Sequence, residues 1–297
     1  MTKQHTCISV ADIHGNIVQY EKLKTLVASE RFEYVFMCGD LLPKTGGSWH
    51  INNKVRTIAM QADFIENYFF SYLVELGKIA DVYAIFGNDD FSSNYSMLAQ
   101  AAIENVHFLN RQVKKMQVHG RDLYVAGYPY VGLTPFYHKD WERWDELPRS
   151  LPYKIYRTDG YISREGAHIP VDLYNDTQTI ADDIRVLSRL SDPKDTVYIF
   201  HEAPFNTPLD QIASDNKYIK NGQLHIGSQA IRRFIKDKHP LLTMHGHIHE
   251  TFAESGDFCW RNDASVSFTA ANDFTSDMLA YIEFTLPNLG LIERKVV

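Results

Sequence analysis

Seven side chains that can ligate a metal fall at five places along the chain, each directly after a short apolar run. Asp12 and His14 follow "CISVA", Asp40 closes "YVFMCGD", and Asn88 closes "VYAIFGN". His201 closes "VYIFH", and His247 and His249 lie in "LLTMHGHIH". The set mixes carboxylate and amide oxygen with imidazole nitrogen. That mixture suits Mn, Fe or Zn rather than an all-oxygen calcium cage. Seven donors exceed the needs of one tetrahedral ion and match two ions if one carboxylate is shared. Two such ions clamp the attacking and leaving oxygens of a phosphoryl transfer. Asp12 and Asp40 cancel only part of the ionic charge, and the neutral Asn88 and histidines leave a surplus that attracts phosphate.

Each piece alone has a plainer reading. Asp12-Ile13-His14 can cap a strand-to-helix junction, Gly39-Asp40 can be a turn, and "GNDD" can be a turn and N-cap for a helix near "SSNYSMLAQAAIE". A lone His201 is more often a satisfied loop histidine, and "HGHIH" can hold an adventitious ion. The coincidence of all five with strand ends favours the metal, because α/β sheets bind ligands where parallel strands end.

The elements that must position these residues alternate. "HTCISVAD", "FEYVFMCGD" and "IADVYAIFGNDD" read as strands. A helix from the N-cap Asn16, with Val18, Leu23, Leu26 and Val27 on its apolar face, and a long helix stopped at Gly77 lie between them. This predicts a parallel sheet covered on both faces. A hairpin with its turn at His119-Gly120 follows. Residues from about 129 to 176 lose periodicity and are rich in Tyr, Trp and Pro, which marks an aromatic insertion. It is either a surface excursion packed on the body, or a substrate lid or homo-oligomer contact. Alternation resumes with "TIADDIRVLSRL" as helix, "DTVYIFHEAP" as strand, and a helix capped by Ser228 and closed before Pro240. "LLTMHGHIHE" is a strand. "TFAESGDFCWRN", "ASVSFTA", "MLAYIEFTL" and "LIERKVV" read as closing strands with turns at Ser255-Gly256 and Pro287-Asn288.

Bulk properties narrow the classes. The chain has 297 residues, 44% hydrophobic and 23% charged, and a net charge of −7. A net negative chain with no basic, aromatic-interleaved segment disfavours extended nucleic acid as partner, and with it a nuclease. Three cysteines without paired spacing predict a reducing compartment and no cysteine-based zinc site. No run reaches membrane-span length and the N-terminus lacks a signal-peptide core, so no membrane partner and a cytoplasmic location are expected.

The ordered set "DIH" at 12, "GD" at 39, "GN" at 87, His201 and "GHIH" at 246 resembles the signature of the calcineurin-like metallophosphoesterase superfamily. The resemblance spans residues 12 to 249. It implies one domain over 1–297 with a four-layer α/β/β/α sandwich of two mixed sheets, and a centre of two divalent ions, with Mn²⁺ ahead of Fe or Zn. By the same resemblance Asp12, His14 and His249 hold one ion, Asn88, His201 and His247 the other, and Asp40 bridges. The implied chemistry is in-line attack by hydroxide on a small phosphorylated substrate. Many members carry histidine after the Gly-Asn pair to aid the leaving group, where this chain has Asp89. The form "GNDD" resembles small prokaryotic phosphoesterases of the superfamily. Asp89 predicts a preference for low-pKa leaving groups, as in some diesters, or another proton donor among His50, His138 and His225. Asp40, Asn88, Asp89 and Asp90 are therefore the catalytic candidates, with Asp90 expected to orient Asn88 or a ligand histidine. Asn88 and His225 are the candidate substrate contacts. The alternative to an enzyme is a binding scaffold of the same fold, which retention of all seven ligand positions disfavours.

Overall fold

The computed structural model describes residues 5–44, 51–149, 151, 154–262 and 264–297. Strand β1 (His5–Val10) is covered on both faces, with Cys7, Ile8, Ser9 and Val10 fully buried. Alternate residues show what covers it. Ile8 and Val10 join a core beneath helices, whereas Cys7 joins a core shared with a second sheet.

From β1 the chain runs through α1 (Ile17–Glu30), β2 (Tyr34–Cys38), α2 (Ile51–Phe64), a π-turn over 65–69, α3 (Phe70–Gly77), β3 (Asp81–Ile85), α4 (Tyr95–Ala99) and β4 (Val106–Phe108). β1 to β4 are mutually parallel neighbours, as the alternation predicts. Asn16 caps α1, its side chain accepting from the Gln19 N–H at 3.2 Å. Leu23 and Val27 are buried, but Val18 is exposed, because the buried stripe of α1 starts at Gln19 and Tyr20. The expected helix after "GNDD" is short, and the chain leaves it through Ala102 and Asn105 at φ 48° and 58°.

The hairpin of β5 (Gln112–Val118) and β6 (Arg121–Tyr128) turns at His119 and Gly120, with φ 53° and 76°. Two positive φ values suit the right-handed twist of the flanking strands. Next come the insertion strands β7 (Val131–Gly132), β8 (Glu142–Arg143), β9 (Asp159–Arg164) and β10 (Ala167–Asp172). The chain continues through α5 (Ile180–Leu187), β11 (Thr196–Phe200), α6 (Gln229–Lys238), β12 (Leu242–His245), α7 (Thr251–Ser255), β13 (Cys259–Arg261), β14 (Val266–Thr269), β15 (Ala280–Leu286) and β16 (Ile292–Val296). The segment 251–262, expected as strand, thus begins as a helical turn. Gly256 ends that turn at φ 75°, and only Cys259–Arg261 pairs.

Two six-stranded mixed sheets result, ordered β16-β15-β1-β2-β3-β4 and β13-β14-β12-β11-β6-β5. Phe36, Tyr83 and Ile85 of the first meet Val125, Ile199 and Phe268 of the second in the central core. The outer face of the first packs on Leu23, Phe69 and Leu73, and that of the second on Ile184, Ile231 and Phe234. These three cores make the predicted four-layer α/β/β/α sandwich. No helix among the described residues is long and apolar enough to cross a membrane.

The described residues of the insertion form regular structure where periodicity failed. β9 and β10 pair in register through a turn at Glu165-Gly166, φ 52° and 76°. Leu133, Trp144, Leu151 and Leu173 form its own small core. Lys139 is buried with Glu142, Nζ to Oε2 2.6 Å, and the Glu142 carboxylate accepts from the Thr134 N–H at 2.9 Å. That network fixes the conformation of 134–136.

Candidate metal centre

The loops leaving β1, β2, β3, β11 and β12 converge, although β1 to β3 belong to one sheet and β11 and β12 to the other. Asp12, His14, Asp40, Asn88 and His201 are buried, and His247 and His249 half-buried. One ligand atom from each of Asp12, His14, Asp40 and His249 lies within 4.8 Å of the others, and the same holds for Asp40, His201 and His247. Asp40 belongs to both groups. Its Oδ2 is 3.6 Å from His14 Nε2 and 3.3 Å from His201 Nε2. Asn88 Oδ1 stands 3.1 Å from His201 Nε2, which places the amide beside the second group.

The donors fit cations. His14 Nε2 and His249 Nε2 are 3.3 Å apart, and His249 Nε2 is 3.5 Å from Asp12 Oδ1. Two imidazole nitrogens facing the same carboxylates suit a shared positive ion. His201 Nδ1 lies 2.7 Å from the Cys38 carbonyl; donating its proton there leaves the Nε2 lone pair toward Asp40 and Asn88. Phe274 packs edge-on against both His14 and His249, at 4.4 and 5.4 Å, and fixes their planes. Burial opposes the charge of Asp40, yet His201 and His14 hold its carboxyl well below the usual range. Burial lowers His14 to about 4 and pushes His247 well down, which keeps both neutral and ready to donate a lone pair.

The backbone explains the short motifs. Asp12, His14, Asp40 and His247 have φ of 56°, 47°, 53° and 72°. Non-glycine residues there cost on the order of 1–3 kcal/mol each and persist where surrounding bonds dictate them. Those bonds run between the two loops: Asp12 N to Gly39 O at 3.0 Å and His14 N to Asp40 O at 2.9 Å. The glycines leave room. A methyl on Gly87 would overlap the Asp40 carboxylate and lie 2.6 Å from His201 Cε1.

Asp90, expected to orient Asn88 or a ligand histidine, reaches the ligand loops through their main chain. Its carboxylate accepts from the backbone N–H groups of Leu41 (3.1 Å), Leu42 (2.8 Å) and Gly87 (2.9 Å), tying the loop that carries Asp40 to the loop that carries Asn88. Burial and the neighbouring Asp40 charge push it up to about 8. Asp89 donates its N–H to Asp40 Oδ1 at 2.8 Å and pairs with Lys44, Nζ to Oδ2 2.5 Å. Lys44 carried no signal in the sequence, since its partner is set by tertiary structure alone.

The other histidines separate clearly. His245 is buried, with Nδ1 2.8 Å from the Glu202 carbonyl and Nε2 2.8 Å from Thr243 Oγ1, so both ring nitrogens are engaged. His225 pairs with Asp210 at 2.7 Å and does not line the cleft. His138 is buried against Phe91 and pairs with Asp140 at 2.9 Å, also off the cleft. His50 lies outside the described residues.

A cleft of about 240 Å³ opens over Asp40, Asn88, His247 and His249. The insertion supplies Phe136, Lys154 and Ile155 to its wall, and the segment after β11 supplies Ile212, Tyr218 and Ile226. The insertion is therefore an excursion packed on the body that also shapes the site. Neither wall was legible from spacing, because both are irregular segments whose residues meet only in the folded chain.

Comparison with known proteins bears on the fold and the family. One solved crystal structure is similar with a TM-score of 0.61 and 14% identity over 99% of both chains. TT1561 of Thermus thermophilus is similar with a TM-score of 0.56 and 16% identity, again over 99% of both chains. At such identities the likeness concerns the fold. No curated protein matches the sequence. The family model for calcineurin-like phosphoesterase matches residues 6–251, and the chain, with its Asp and His clusters at the strand ends, belongs to that family.

Proposed function

We propose that the chain hydrolyses small phosphoesters at a centre of two divalent ions, with diesters preferred over monoesters. The observation that carries this is Asp40, whose carboxylate is common to both ligand groups. Asp12, His14 and His249 would hold one ion, Asn88, His201 and His247 the other, with Asp40 between. Ions held there would supply an activated water and charge to neutralise the phosphoryl oxygens. The mixed oxygen and nitrogen donors support Mn²⁺, with Fe or Zn as substitutes. Cys7, Cys38 and Cys259, none of them in a disulfide, support a reducing, cytoplasmic setting.

The chain's own groups then act on the substrate. Asn88 orients the phosphate at the floor of the cleft. Asp89 stands where a leaving-group histidine is common, and Lys44 balances its charge. A carboxylate paired to an ammonium is a poor proton donor, which supports substrates whose leaving group departs unaided. The apolar wall of Phe136, Ile155 and Tyr218 supports an ester with an apolar organic group. A diester carries one negative charge and a second such group, and fits that wall better than a dianionic monoester.

The test is hydrolysis of bis-p-nitrophenyl phosphate against p-nitrophenyl phosphate by apo protein reloaded with Mn²⁺. A higher kcat/KM on the diester is expected. Preference for the monoester would overturn the diester assignment, and inactivity on both with full metal content would favour a binding scaffold.

A further inference from the structure

We propose that Lys154, contributed by the insertion, anchors a non-bridging oxygen of the substrate phosphate; this rests on the phosphoesterase reading above. Lys154 is only 6% exposed, and lysines are almost never buried unless paired. Its Nζ donates to the Ile226 carbonyl at 3.1 Å, which uses one of three N–H bonds. Among the described residues no carboxylate stands within 4.0 Å of it. The buried carboxyls of Glu202 and Asp145 feel its charge at longer range, but Glu202 directs its oxygens to the backbone N–H groups of Gly132 (2.9 Å) and Ala203 (3.1 Å). The other lysine on the cleft, Lys44, is already paired with Asp89. Among the described residues, Lys154 is thus the cleft cation with no carboxylate in ion-pair contact.

Its position suits a phosphate. Lys154 lines the same cleft as Asn88 and His247, and its charge is felt at His247. The neighbouring Ile155 and Ile226 lower the local polarity, which strengthens an ammonium–phosphate attraction. The ammonium is also held in place before substrate arrives. Lys154 bridges antiparallel to Ile219, and the Ile155 N–H donates to the Tyr218 carbonyl at 2.7 Å. Gly132 makes the room: a methyl there would sit 3.1 Å from Nζ.

The test compares Mn²⁺-loaded wild type with Lys154→Met, which keeps the aliphatic stem, and Lys154→Arg. The readouts are KM and kcat for bis-p-nitrophenyl phosphate, Ki for inorganic phosphate, metal content and melting temperature. Lys154→Met should raise KM and the phosphate Ki on the order of 30-fold, with a smaller fall in kcat and unchanged metal content. Lys154→Arg should recover part of the phosphate affinity. Unchanged KM and Ki in Lys154→Met would overturn the proposal. If Lys154→Met fails to fold, Lys154→Gln, which keeps a donor for the Ile226 carbonyl but carries no charge, should produce the same rise in Ki, and an unchanged Ki there overturns it. If wild type cleaves no ester, the phosphoesterase reading fails separately. Calorimetric binding of inorganic phosphate to the loaded proteins then decides: loss in Lys154→Met supports the anchor, and equal affinity overturns it.

Discussion

Asp40 and Asp90 are both buried carboxylates on the same pair of loops, and they should fail in different ways. Asp40 faces His14 and His201, so Asp40→Asn removes a charge shared by both ligand groups. Turnover should fall about 100- to 1000-fold, with bound metal dropping below two ions per chain by elemental analysis. Asp90 faces three backbone N–H groups, and Asp90→Ala leaves them buried and unpaired. Each costs about 1–3 kcal/mol, so the denaturant midpoint should fall well before any kinetic effect is interpretable. Asp89→His tests the leaving-group argument: it should speed esters of high leaving-group pKa most, and a parallel shift for all esters would count against it. The seven ligand types were legible because each follows an apolar strand. The role of Asp90 was not, because its partners are main-chain groups that carry no residue signature.

At the scale of elements, the turns between strand and loop carry as much information as the side chains. Gly39 and Gly87 stand where a methyl would collide with His201 or Asp40. Gly87→Ala should keep the circular dichroism of the wild type while losing metal affinity, read by titration of the apo protein. The insertion makes the complementary case. Its hairpin turn at Glu165-Gly166 was not read from the sequence, because the aromatic and proline content of the segment hid the strands on either side. The buried Lys139–Glu142 pair, only three residues apart, helps to hold it, and the irregular pattern around the pair gave no sign that both charges would be buried. Lys139→Met strands a buried carboxylate and should cost about 3–5 kcal/mol by chemical denaturation. Adding Glu142→Gln, which keeps an acceptor for Thr134, should restore part of that loss.

Across the whole molecule, the centre joins the two sheets. Asp12, His14, Asp40 and Asn88 leave one sheet, and His201, His247 and His249 the other. Each ion bound at the proposed centre would stabilise the native sandwich by about 2.7 kcal/mol at a hundredfold excess over Kd. A chelator should therefore lower the melting temperature by several degrees, and an unchanged melting temperature would show that the native state holds no ion. The covered parallel sheet was legible from strand and helix alternation and the four-layer order only through the family resemblance, and the antiparallel partner of β1 was not legible, since it comes from the far end of the chain. That pairing sets a timetable. β1 lies between β2 and β15, with Cys7 opposite Phe284, and Asp12 meets His247 across 235 residues. A ribosome adding about 5–20 residues per second leaves one edge of β1 without its neighbour for roughly 15 to 55 seconds. Through that interval the nascent sheet offers an open, apolar edge to any passing strand. Chains stalled before β15 should be inactive and prone to aggregate, so the yield of working protein will depend on elongation speed as much as on the stability of the native fold.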